Sequence, residues 1–287
     1  MPVLSRRGMT LIELLIALVL MGIVSAALVK ALQTHQRTYA AQTQKIVLQE
    51  NIRAGATILP ADFRELDATD GDIISMTSTS LTVRAMRQMS FLCSEPVLGG
   101  ANTTLIMRNT PRYMVRASNA ATDSLLVYYE GDEATRIDDG WVTGPAAAEV
   151  ATVCPDGNRG FLMLTKLAFA GPPNSINQTG RIQSGAPVRT FVPVTYSLYT
   201  AADGRAYVGY DEGSGAQPLI GPLLSNGLAF VYYDSTGVVT NQRQRVARIE
   251  IHLRAETDQA VRRPDGSLGR MVDSVTTVVS LRNNRRF

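Results

Sequence analysis

The spacing of apolar and polar positions changes twice along the chain. Residues 14–29 are almost continuously apolar, residues 48–66 carry apolar side chains three or four positions apart, and many short runs after residue 80 alternate apolar with polar residues. These patterns predict, in that order, a membrane-crossing helix, an amphipathic helix and a set of β-strands.

The apolar run is long enough to cross a bilayer, since about 20 helical residues at 1.5 Å each span ~30 Å of hydrocarbon. Arg6 and Arg7 precede it. This basic pair favours a cytoplasmic N-terminus and places the chain after Lys30 on the other side of the membrane. Glu13 is unusual there, because an unpaired charge within an apolar span costs ~3 kcal/mol and so implies a partner.

The second stretch predicts a helix that lies on a globular domain. Its apolar positions form one stripe: Leu48, Ile52, Ala56, Leu59, Phe63 and Leu66. Pro60 predicts a kink or a restart, and we expect the chain to leave the helix near Asp67. The acidic residues 67–72 that follow do not match the ligand spacing of a helix-loop-helix calcium site, so we interpret them as a solvated turn.

The remainder predicts a mostly antiparallel β domain. In residues 246–254 one set of alternate positions is apolar and the other is polar, which is typical of a half-buried strand. Asp203-Gly204 separates two strand-like runs and predicts a hairpin turn. The loop-rich residues 171–174 and 179–187 are interpreted as an insertion, with a boundary between two subdomains as the alternative. The other predicted strands are residues 81–85, 113–116, 125–129, 161–164, 192–199, 206–210, 228–233 and 274–282.

Composition adds few constraints on chemistry. The chain has 287 residues, 45% of them hydrophobic, and a net charge of +3, which supports a sizeable core and no strong electrostatic role. His35 and His252 lack cysteine or carboxylate neighbours at ligand spacing, and no catalytic constellation or phosphate loop is visible. We therefore expect no enzyme activity, no metal and no cofactor, and nucleic-acid binding is not expected either.

Cys93 and Cys154 are the two cysteines of the sequence. In a chain exported to an oxidising compartment such a pair predicts one disulfide, with two free buried thiols as the alternative. The bridge would close a loop of about 60 residues and contribute about 4 kcal/mol by the chain-entropy estimate.

The N-terminal residues Gly8-Met9-Thr10-Leu11-Ile12-Glu13, with the apolar run after them, resemble the cleavage and methylation signature of type IV prepilins and type II secretion pseudopilins. The resemblance implies that a prepilin peptidase cuts after Gly8 and methylates Met9. It also implies that Glu13 meets the N-terminal amine of a neighbouring subunit and sets the subunit register. Phenylalanine is commoner than methionine after the glycine in that family.

The C-terminal part of the sequence resembles a smaller group within these pilin-like proteins. Residues 219–234, 245–251 and 276–283 are similar to the C-terminal half of PilW-type minor pilins and of J-type minor pseudopilins, and chain length favours the PilW type. This implies a minor pilin that initiates a type IV pilus at or near its tip. The implied partners are the prepilin peptidase, other minor and major pilins, and the inner-membrane assembly platform.

We therefore predict an α+β, type IV pilin-like fold: a long N-terminal helix packed on an antiparallel β-sheet domain. The predicted parts are a leader (1–8), the membrane or fibre-core half-helix (9–32), the amphipathic half-helix (33–66) and a periplasmic β-rich domain (67–287). The protein would be a single-pass inner-membrane protein that later enters the pilus. The alternatives are a J-type minor pseudopilin and a membrane-anchored adhesin or enzyme with a prepilin-type leader.

Overall fold

The computed structural model describes residues 10–99, 102–131, 134–135, 139–167, 182–262 and 266–282. The chain divides into two compact units. The first contains Met1–Glu50 with Glu256–Asp273, and the second contains Asn51–Ala255 with Ser274–Phe287.

One α-helix, α1, runs without a break from Leu11 to Arg64. The predicted long helix is thus confirmed. Pro60 lies inside α1 and does not end it, so a restart at this residue is wrong. The proline lacks one backbone donor, but the helix has only one further turn to run before Arg64.

The strands are β1 (Ile73–Met76), β2 (Ser80–Phe91), β3 (Val97–Gly99), β4 (Asn102–Arg108), β5 (Tyr113–Met114), β6 (Ser124–Tyr129), β7 (Gly140–Pro145), β8 (Val150–Val153), β9 (Arg159–Thr165), β10 (Pro187–Thr200), β11 (Ala206–Asp211), β12 (Gln217–Tyr233), β13 (Arg248–Glu256), β14 (Val261–Arg262), β15 (Leu268–Gly269) and β16 (Val272–Ser280). The strand pairs from β1 to β13 and the hairpin β14–β15 are antiparallel. A single 3₁₀ turn of the described chain, Arg243–Arg245, precedes β13.

The second unit contains two sheets. The larger has the order β1-β2-β10-β11-β12-β13-β16, with β5 paired to β2 and with β6 paired to both β10 and β7. The smaller has the order β3-β4-β9-β8. The predicted hairpin is confirmed: β10 and β11 pair, and Gly204 has the positive φ, +76°, that its turn requires.

The C-terminal turns of α1 pack on the large sheet through the predicted stripe. Leu59 and Phe63 are fully buried. The Phe63 ring meets Tyr196 edge to face, with 5.2 Å between the centroids. A Cβ on Gly55 would lie 2.6 Å from Leu253 Cδ1, so glycine permits the close approach of helix and sheet at this point. The antiparallel sheet domain with a packed helix is therefore confirmed.

A second apolar cluster lies around the smaller sheet. Its buried members include residues of β4, β6, β7 and β9, together with Ile182 and Val188. The alternation predicted for residues 246–254 is confirmed in β13, where Ile249, Ile251 and Leu253 are buried.

The first unit contains the N-terminal part of α1 and the hairpin β14–β15. Thr257 is buried and ties the base of the hairpin, since its N–H donates to Met271 O (2.9 Å) and its hydroxyl donates to Gln259 O (2.8 Å). Gln259 N–H donates to Gln44 Oε1 on the helix (3.2 Å). This contact fixes the hairpin against α1.

The interpretation of residues 67–72 as a solvated turn is wrong. Asp72 is fully buried, and its Oδ2 accepts hydrogen bonds from Arg189 Nη2 (2.9 Å) and from Asp67 N–H (2.9 Å). Asp67 Oδ1 in turn accepts the N–H groups of Thr69 and Asp70. Burial raises the pKa of the Asp67 carboxyl. The turn is a buried junction whose partner, Arg189, lies on β10.

The strand predicted at residues 113–116 is largely wrong. Only Tyr113 and Met114 form a strand, β5, and their side chains with that of Val115 are mostly exposed. Arg112 and Arg116 flank these three residues. The guanidinium groups of Arg112 and Arg116 form ion pairs with Glu149 and Asp123, respectively. The sequence alternation in this segment therefore does not mark a buried face.

Candidate functional site at the N-terminal helix

The predicted cleavage and methylation residues, Gly8 and Met9, lie outside the described residues. The description begins at Thr10, one position before α1 starts. Both assignments therefore stay predictions.

Thr10 and Glu13 bind each other at the start of α1. Glu13 Oε2 accepts the Thr10 N–H (2.9 Å) and the Thr10 hydroxyl (3.0 Å), while Glu13 N–H approaches the Thr10 hydroxyl oxygen at 3.4 Å. This is a capping box, in which the residue before the helix and the third helical residue satisfy each other's backbone N–H groups. It gives the Glu13 carboxylate polar partners within its own chain.

Sequence reasoning missed this second role of Glu13. The signal was present, because a threonine followed three positions later by a glutamate before an apolar run is the signature of a capping box. The observed cap uses one carboxylate oxygen of Glu13, Oε2. The intersubunit role predicted for Glu13 would use the same carboxylate.

The apolar part of α1 is uncovered within the chain. Every residue from Thr10 to Ala40 is exposed. Leu11 keeps 83% of its surface accessible and Met21 67%. Among the described residues, α1 is the one helix whose length and composition suit a membrane crossing. Because exposed apolar surface of this extent is unfavourable in water, bilayer or neighbouring helices must cover it.

The predicted disulfide is present. Cys93 and Cys154 are bonded, with 5.5 Å between their Cα atoms and 61 positions between them in the sequence. Cys93 follows β2 and Cys154 follows β8, so the bond links the two sheets. Gly160 lies directly beneath it: a Cβ there would come within 2.9 Å of the Cys154 sulfur and 2.7 Å of Met107 O.

Replacing Cys93 by serine should lower the melting temperature of the full chain in detergent. Losing the constraint on a loop of this length costs about 4 kcal/mol by the chain-entropy estimate. Cys154→Ser and the double variant should fall to the same temperature, because all three lack the same bond. Free labelling of both thiols in native protein without reductant would contradict the assignment.

The two histidines lie on different elements of the fold, and one of them has a carboxylate neighbour. His35 is exposed on α1, whereas His252 on β13 hydrogen-bonds Thr276 (3.0 Å) and lies 3.0 Å from Glu250. No group of three histidine, cysteine or carboxylate side chains that could hold a metal occurs within the described ranges.

A family model for the prokaryotic N-terminal methylation motif matches residues 4–29. No curated protein and no solved structure matches the chain. The matched segment contains the predicted cleavage site, the capping box and most of the exposed apolar helix. It indicates a protein of the type IV pilin and pseudopilin kind, with processing by a prepilin peptidase and a single-pass membrane anchor.

Proposed function

We propose that this protein is a minor pilin that helps to initiate a type IV pilus at the inner membrane and stays at or near the tip. The observation that carries the proposal is the methylation motif on a helix whose whole apolar half is exposed. Such a helix can move from a bilayer into a bundle of similar helices without exposing its apolar surface to water.

The size of the second unit supports a minor rather than a major subunit. Two sheets follow the amphipathic part of α1, joined by a disulfide. A subunit this bulky suits the end of a helical stack better than every position along it. The domain faces the periplasm in this proposal, and the protein acts by assembly rather than by catalysis.

A J-type minor pseudopilin uses the same motif and the same helix, and its complex would prime a secretion pseudopilus instead of a pilus. The two functions differ in what fails when the protein is absent. Loss of surface fibres with normal secretion indicates the pilus, whereas loss of secretion alone indicates the pseudopilus.

Deleting the gene should reduce surface fibres sharply while the major subunit accumulates in the inner membrane, because a nucleating subunit is needed in few copies. Electron microscopy counts the surface fibres, and immunoblots of the membrane fraction measure the major subunit. The protein itself should be scarce in the sheared fraction, and a plasmid copy should restore the fibres. Fibres and secretion at normal levels in the deletion strain would reject the initiator role in both systems.

A further inference from the structure

The four-stranded sheet of the second unit ends on a strand with a free edge. β8 pairs with β9 in four consecutive positions without a bulge, and no strand of the described chain pairs with its other side. Natural edge strands are protected by shortness, charged side chains, proline or a bulge. β8 reads Val150-Ala151-Thr152-Val153; it is only four residues long, and it has no charged residue, proline or bulge.

The backbone groups on the free edge can be assigned. Cys154 N–H donates to Asn158 O (2.8 Å), so the backbone of Cys154 faces β9. Because successive residues of an antiparallel strand alternate their hydrogen-bonding direction, Ala151 and Val153 direct their N–H and C=O groups away from β9. Arg159, the register partner of Val153, agrees with this, since its carbonyl accepts Asn109 N–H on the β4 side.

A cleft of about 630 Å³ lies beside this edge. Register places Ala151 next to Phe161 and Val153 next to Arg159 on the face that lines it. An added strand would direct every second side chain onto the same face. The free edge thus offers backbone pairing, and the cleft offers a place for side chains.

The walls of the cleft are held rigidly. Arg112 Nη2 lies 2.6 Å from Glu149 Oε2, and the Arg112 guanidinium sits over the Phe161 ring, 4.2 Å from its centroid. Ser118 donates a hydrogen bond to Glu149 Oε1 (3.0 Å). These contacts pair the Arg112 and Glu149 charges, while the buried Arg112 Nε has no hydrogen-bond partner among the described residues. An incoming segment therefore meets side chains that are already positioned.

The charge of the cleft restricts its occupant. Arg159 is exposed at one end, and its guanidinium has no ion-pair partner within the described part of the chain. A single available guanidinium fits one carboxylate. Nucleic acid, which is held through several phosphate contacts, fits poorly.

We propose that β8 receives an extended, carboxylate-bearing segment from a neighbouring protein of the same assembly, which adds a strand to the four-stranded sheet. The segment pairs with the outward backbone groups of Ala151 and Val153 and places a carboxylate against Arg159. The identity of the neighbour rests on the proposed assembly role, whereas the surface itself does not.

The test uses the full chain in its native cells, with the photo-reactive amino acid p-benzoylphenylalanine at Val150. This exposed side chain lies on the face opposite the cleft and leaves both outward N–H groups free. Ultraviolet light should give one discrete adduct with a different protein. Peptide mapping should place the link in a segment that contains aspartate or glutamate.

Val153→Pro should reduce the adduct about tenfold, because it removes an outward N–H while proline is tolerated at an edge position. Val153→Thr keeps the N–H and the branched shape, and should leave the adduct unchanged. Arg159→Glu should also reduce the adduct, and Arg159→Lys should retain it. The Cys93–Cys154 bond, read on a non-reducing gel, reports whether each variant is folded.

An adduct that survives Val153→Pro in folded protein overturns the proposal, as does an adduct with lipid only or with a second copy of this chain. If Val153→Pro fails to fold, the two Arg159 variants are compared instead. Equal adduct yields from Arg159→Glu and Arg159→Lys then overturn the proposal. Normal fibres in the deletion strain would reject the proposed function and leave the result at β8 standing.

Discussion

Replacing Gly8 by valine should leave all of the protein as unprocessed precursor in the inner membrane, with none in fibres. A leader that ends in glycine has no side chain to accommodate in a confined peptidase site. A β-branched side chain at that position adds stiff bulk next to the bond to be cut. Intact-mass analysis distinguishes the precursor from a product that begins at methylated Met9.

Ser5→Val is the matched control for this variant, because it places the same side chain in the leader away from the Gly8–Met9 bond. It should be processed as the native protein is. An N-terminus other than Met9 in the native protein, or normal processing of Gly8→Val, would show that the peptidase does not cut at the predicted bond.

Replacing Glu13 by glutamine should permit processing and abolish assembly. Glutamine can still accept the Thr10 hydrogen bonds of the capping box, so the start of α1 is retained. What is lost is the negative charge proposed to pair with the amine of the next subunit. Leaving one partner of such a pair buried alone costs ~3 kcal/mol or more, which weakens subunit association by at least about a hundredfold.

Two further variants separate the charge from the cap. Thr10→Ala removes the hydroxyl contact to the Glu13 carboxylate and keeps the backbone N–H contact. It costs about 1 kcal/mol of helix stability, which is a smaller effect than the loss of the charge. Glu13→Ala loses both and should behave as Glu13→Gln does. Fibre counts in a strain lacking the native copy measure all three. Native fibre numbers with Glu13→Gln, or an equally severe Thr10→Ala, would show that capping, not charge, is the requirement.

Local sequence patterns were sufficient to predict an element wherever a residue's neighbours in sequence are also its neighbours in space. The apolar run and the stripe ending at Leu66 predicted α1, since helical faces repeat every three to four residues. Alternation predicted β13 for the same reason, and Asp203-Gly204 predicted the hairpin between β10 and β11. The capping box at Thr10 was equally readable, because both of its partners lie within one helical turn.

Local sequence patterns predicted the wrong structure where the residue that determines burial or exposure is distant in the chain. The carboxylates of residues 67–72 look like those of any polar turn, and only Arg189, 117 positions beyond Asp72, makes this turn a buried junction. Tyr113 and Val115 alternate with their neighbours, yet the ion pairs of Arg112 with Glu149 and of Arg116 with Asp123 hold this segment at the surface.

The sequence by itself determined how this protein is anchored, because the methylation motif, the apolar helix and the capping glutamate are contiguous and act through local geometry and solvation. Only the tertiary structure determined which strand edge is left available for pairing with another protein. Whether β8 is central or at an edge depends on which strands pair beside it. Such pairing joins segments that are far apart in sequence. The alternation of residues within one strand does not show whether another strand pairs with each of its edges.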